Sequence, residues 1–292
     1  MEQTRSAGGV GSPADRWLER DGVRIHLIDW GGPPDGPPVL LMHGVGGNAL
    51  VWNDVAPRLR QSLPGHRILA VDGRDGGRTD HPATGYRLAD FMTDVVAIAD
   101  HLAAARVSIV GHSRSGWLAA SVAAVHPDRV DRIVLVDPAS IQFASPAAGA
   151  VAYRWIFGNL GPFPSREAAV EWARSEEPTA KWTPTRIGAF LDNLVDQPDG
   201  TVAGRLPHAA MEQLRAARAD GHTIPYESVT APTLLLVATS GGERMEDRLV
   251  YAQRIRDTRV VEVDGTHFLH TDTPEEVARL VAEHLSATRP SP

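Results

Sequence analysis

The sequence predicts an α/β fold: a mostly parallel central sheet covered by helices, with a helical insertion in its second half. Three observations carry this expectation. Seven apolar runs of strand length alternate with longer stretches in which apolar residues recur at helical spacing. The runs are nearly continuous in Val, Ile and Leu, the pattern of strands covered on both faces. The alternation lapses between residues 139 and 228, where helical patterns continue without strands.

Taken in order, residues 1–16 are rich in Gly, Ser, Ala and Pro and read as a disordered leader, with structure beginning near Trp17. The strands expected are VRIHLIDW (23–30), VLLMHG (39–44), HRILAVDG (66–73), RVSIVGHS (106–113), RIVLVDP (132–138), PTLLLVAT (232–239) and RVVEVDG (259–265). Between them VWNDVAPRLRQSL, RLADFMTDVVAIADHLAA, GWLAASVAAVH, DRLVYAQRIRD and TPEEVARLVAEHL read as helices. A strand, a helix and a parallel strand form one crossover unit, so this rhythm builds a layered sheet. The core then spans 17–138 and 229–288, and 139–228 forms a helical lobe whose Trp155, Trp172 and Trp182 either pack that lobe or line a pocket.

With 292 residues, 42% of them hydrophobic, the chain can bury one large core. No stretch approaches the roughly 18 consecutive apolar residues of a membrane span, and the first residues lack an apolar signal-peptide centre, so the expected location is the cytoplasm. The absence of cysteine excludes disulfides and thiolate chemistry. A net charge of −7 without a basic block argues against nucleic acid as a partner. Oligomeric state stays open, a homodimer being one form the sequence allows.

The stretch VGHSRSGW (110–117) places Ser113 between a strand and a helix. A turn that sharp needs small residues beside the serine, and Gly111, Ser115 and Gly116 supply them, with Ser rather than Gly at the fifth position of G-x-S-x-G. After an earlier strand, His43-Gly44-Val45-Gly46-Gly47 forms a loop able to aim a backbone N–H at a developing oxyanion. The amides of Val45 and Arg114 are the expected donors, and His43 is expected to support the loop. Near the C-terminus VVEVDGTHFLH puts His267 just past the last strand, where it can reach the serine as general base; His270 is the second candidate.

Strand-HGxGG, strand-GHSxSG and strand-DGTH in this order resemble the α/β-hydrolase superfamily over about residues 17–287. The resemblance implies a serine nucleophile at Ser113, a base at His267 and a cap domain at the helical lobe. Asp72-Gly-Arg74-Asp75-Gly76 resembles the family's D-x-R-G-x-G loop, with Asp75 in place of the usual glycine. Most members draw the acid of the triad from a loop that here reads Ala238-Thr239-Ser240-Gly241 and holds no aspartate. A minority of members take it from the strand after the elbow helix, where Asp137 stands 24 positions beyond Ser113. Glu243, Glu246 and Asp247 in the following loop are the alternatives.

Two other classes compete. Gly44-Val-Gly46-Gly-Asn-Ala49 with Asp72 at the next strand end satisfies a dinucleotide-binding pattern, but that reading leaves the serine turn and His267 without a purpose, and Lys181, the only lysine, cannot complete a Tyr-x-x-x-Lys pair. A hydrolase-fold binding protein would keep the pocket without turnover. A serine nucleophile excludes the alkyl-enzyme chemistry of epoxide hydrolases and dehalogenases. The expectation is therefore a hydrolase of esters or lactones, with C–C cleavage of a diketone or thioester hydrolysis as alternatives on the same triad. Its substrate would be a small to medium apolar molecule in a pocket lined by His43, Gly44, Trp117, Trp155 and Trp182. Neither cofactor nor metal is implied.

Overall fold

The computed structural model describes residues 12–139, 161–178, 180–217, 224–240 and 245–288. Strands β1 (Ala14–Arg20), β2 (Val23–Asp29) and β3 (Pro38–Met42) lead into α1 (Ala56–Ser62), β4 (Arg67–Val71), α2 (Leu88–His101), β5 (Val107–His112), α3 (Arg114–Val125) and β6 (Val130–Val136). The insertion follows with α4 (Arg166–Glu176), α5 (Pro184–Asp192), β7 (Leu194–Asp196), β8 (Val202–Gly204) and α6 (His208–Ala217). The core resumes with β9 (Thr233–Ala238), α7 (Met245–Arg254), β10 (Thr258–Val263), α8 (Leu269–Asp272) and α9 (Pro274–Ser286).

Eight strands form one sheet in the order β1-β2-β4-β3-β5-β6-β9-β10. Only β2 runs against the others, being antiparallel to both β1 and β4. Each of the seven expected runs is a strand here. Their neighbouring side chains point to opposite faces, as the two-residue period of a strand requires. Leu40, Leu69, Ile109, Leu135 and Leu235 pack under Phe91 and Val95 of α2 and Leu118 and Val122 of α3. Val39, Leu41, Ile68, Val110, Val134 and Leu234 pack on the other face under Leu59 of α1 and Val277 and Val281 of α9. Helices on both faces explain why the strands are continuously apolar. Helix α9 opens on a proline with two acidic residues in its first turn, which suits the positive end of the helix dipole.

Two expectations need correction. Residues 14–16, assigned to the leader, belong to β1, an edge strand in which Leu18 alone is buried. Its charged, solvent-facing side chains protect an open edge but leave no apolar run to detect. The lobe is not purely helical: β7 and β8 pair antiparallel, and Phe163 bridges to Val202. Three residues per strand are too few to register as a pattern. Among the described residues, no helix is long and apolar enough to cross a membrane.

Candidate active site

Ser113, Asp137 and His267 follow β5, β6 and β10, at the carboxyl edge of the parallel sheet where ligands of open α/β folds bind. Ser113 lies between β5 and the first residue of α3 with φ 52° and ψ −119°, a strained conformation for a residue with a side chain. The turn closes because its neighbours are small. A Cβ on Gly111 would stand 2.0 Å from the Ser115 carbonyl oxygen, and one on Gly116 would stand 2.8 Å from Cβ of Pro138. The close approach therefore falls on Gly111 and Gly116, and Ser115 is free to carry a hydroxyl, which donates to the His43 carbonyl. Gly116→Ala is expected to lose about 1–3 kcal/mol by overpacking against Pro138, measurable as a lower midpoint in urea.

His267 Nε2 lies 2.9 Å from Ser113 Oγ, and its Nδ1 lies 2.6 Å from Asp137 Oδ2. A carboxylate only accepts, so Nδ1 carries the proton and Nε2 is left to accept from the serine hydroxyl. Asp137 is fully buried with φ 42°, and its other oxygen accepts from the Ala238 amide at 2.9 Å and from Arg248 Nη1 at 2.6 Å. Of the alternative acids, Glu246 is exposed and Asp247 half-buried on α7, and Glu243 lies outside the described residues. What α7 brings to the site is a cation, Arg248, which also donates to the Ala238 carbonyl at 3.0 Å. Sequence reasoning missed Arg248, because nothing in SGGERMEDR (240–248) sets one of its two arginines apart.

His112, beside the serine, donates from Nε2 to the His267 carbonyl at 2.8 Å and so holds the loop that carries the imidazole. Complete burial keeps His112 well below the usual imidazole range, and His270 and His267 push the same way. His270 is also fully buried, between His112 and Trp52, and burial pushes it down to about 3. It is neutral at any ordinary pH and makes no hydrogen bond to the serine.

The loop after β3 packs directly on the serine turn: a Cβ on Gly44 would meet His112 Nδ1 at 2.9 Å and Ser113 Cβ at 3.2 Å. His43 is buried, accepting from the Gly73 amide at 2.8 Å and donating from Nδ1 to the Gly44 carbonyl at 2.6 Å. It braces the loop and, with both nitrogens engaged, is removed from the expected pocket lining. Asp72, the acid of the dinucleotide pattern, is likewise consumed internally, accepting from Ala49, Arg78 and His26.

The insertion docks over this loop. Asn193 donates to the Gly46 carbonyl at 2.9 Å, and Asn48 donates to the Ala189 carbonyl at 2.7 Å. Arg186 of α5 stacks 3.8 Å over the ring of Phe268, next to His267, and pairs with Glu177. Trp182 packs within the lobe against Phe190 and Arg186. Trp117 packs against the core and donates to the Tyr226 hydroxyl at 2.7 Å. Trp155 lies outside the described residues. No group of three or more metal-ligating side chains converges among the described residues.

A profile of the alpha/beta hydrolase fold matches residues 37–274. The chain belongs to the α/β-hydrolase family. This α/β-hydrolase is 32% identical over 233 residues to RutD of Variovorax paradoxus, covering 77% of this chain and 81% of that one. It is 29% identical over 271 residues to the lipase LipV of Mycobacterium tuberculosis, covering 90% of this chain and 98% of that one. The crystal structure of E-2-(acetamidomethylene)succinate hydrolase superposes with a TM-score of 0.80 at 24% identity, over 94% of this chain and 100% of that one. The family, the mostly parallel sheet and a hydrolytic enzyme are thus established together.

Proposed function

We propose that this α/β-hydrolase cleaves carboxylic esters or lactones through an acyl-enzyme on Ser113. The observation that carries the reading is the continuous chain of two hydrogen bonds, Ser113 to His267 at 2.9 Å and His267 to Asp137 at 2.6 Å, on a serine held at positive φ. Ser113 Oγ attacks the acyl carbon while His267 Nε2 takes its proton, and Asp137 holds the tautomer and stabilises the imidazolium. The amides of Val45 and Arg114 receive the oxyanion; losing one such donor typically costs about 2.7 to 4 kcal/mol of transition-state stabilisation. Collapse expels the alcohol, protonated by His267, and water repeats the sequence to release the acid. A lactone passes through the same steps with its leaving hydroxyl still attached to the acyl chain.

The substrate class in this reading is a small to medium apolar acyl compound, taken up between the sheet edge and the insertion. LipV supports the ester reading as a relative whose name is that of a lipase. The cytoplasm remains the expected compartment. The test is hydrolysis of p-nitrophenyl acetate and butyrate and of five- and six-membered lactones, together with labelling by an aryl alkylphosphonate followed by peptide mass spectrometry. Turnover and one phosphonyl group per chain, on Ser113, are expected. No turnover on any of these and no label on Ser113 would overturn the ester and lactone reading.

A further inference from the structure

The departure at Asp75 and the residue after the nucleophile, Arg114, meet in space. Asp75 replaces the glycine usual in its loop, and Arg114 follows the nucleophile; Asp75 Oδ1 accepts from Arg114 Nη2 at 2.8 Å, and Asp75 Oδ2 accepts from the Gly46 amide at 3.3 Å. Asp75 is 0% exposed and Arg114 6%. The guanidinium also lies 4.1 Å over the ring of Phe91 on α2, so it is held on a second side.

We infer that Asp75 and the Arg114 side chain are positioning residues that set the gap between the two halves of the oxyanion hole. This rests on the hydrolytic reading above. The two expected donors, the Val45 and Arg114 amides, belong to different loops, and their spacing depends on what ties those loops together. Asp75 touches both: one oxygen grips the side chain of the residue that carries one donor, and the other grips the amide next to Val45. Gly46 has φ 68°, and the Gly47 amide is already spent on the Gly44 carbonyl, so the loop's turn is defined amide by amide.

Stability alone does not account for the pair. A buried ion pair is seldom worth more than an apolar pair of the same size, and a cation at the first position of a helix meets the unfavourable end of the helix dipole. What the pair supplies is geometry. The Ser115 hydroxyl, donating to the His43 carbonyl, makes a second tie between the same two loops.

The test compares Asp75→Asn, Arg114→Gln and the double variant with wild type, with kcat expressed per active site counted by end-point phosphonylation of Ser113. Asp75→Asn keeps shape and an acceptor but leaves the guanidinium without its counter-charge. It is expected to lower per-site kcat about 10- to 100-fold, part of the 10²–10³ that loss of a whole donor costs. KM should change less than about threefold, and affinity for an alkyl trifluoromethyl ketone, which mimics the tetrahedral oxyanion, should fall by the same factor as kcat. The double variant, an amide facing an amide, should recover at least about fivefold over Asp75→Asn. A variant with fewer phosphonylatable sites but wild-type per-site kcat and inhibitor affinity would show only a folding role and overturn the inference. A wild type inert toward every acyl substrate would remove the hydrolytic reading and this one with it.

Discussion

Ser113→Ala is expected to lower kcat by about 10⁶, and adding His267→Ala should cost almost nothing more, because the two act as one unit. The reason lies in the 2.9 Å bond between them: without the hydroxyl the imidazole has no proton to take, and without the imidazole the hydroxyl is a weak nucleophile. The residue of activity should stay about 10³-fold above water, since the Val45 and Arg114 amides remain. Initial rates on a p-nitrophenyl ester, with protein purified free of host esterases, measure this. Additive losses in the double variant would show that Ser113 and His267 do not share a step.

Asp137→Asn is expected to lower kcat about 10⁴-fold. An asparagine amide would donate to His267 Nδ1, moving the ring proton to Nε2, where it can no longer accept from Ser113. A second effect is built into this site. Arg248 is buried to 2% exposure and donates to the same carboxylate, so neutralising Asp137 also weakens a buried ion pair and should lower Tm. The pair Asp137→Asn and Asp137→Asn/Arg248→Met separates the two effects. The double variant should regain Tm while kcat stays low. Recovery of kcat along with Tm would mean that Asp137 serves only to hold the fold, and the acid would have to be sought on or before α7.

The strands were legible because burial on both faces writes itself into adjacent residues, and a run such as VLLM needs no partner to be recognised. Ser113 and His267 were legible for a related reason: each directly follows such a run, with small residues around the serine. β1 was not, since an edge strand with one buried side chain carries no local signal. His43 illustrates an intermediate case, placed in the correct loop but facing inward, because whether a loop side chain braces or lines a site depends on what lies beneath it.

By itself the sequence determined the succession of the seven strands β2 to β6, β9 and β10, though not the short lobe pair, the insertion after β6, and a short set of polar residues at strand ends. Tertiary structure decided which of them meet. Asp137 reaches His267 across 130 residues, and Asp75 reaches Arg114 across 39. Periodicity reports only what each residue's own segment buries, whereas these pairings follow from sheet order and loop packing. The choice of carboxylate for His267, and the use of a misplaced aspartate, therefore appear only when the chain is folded.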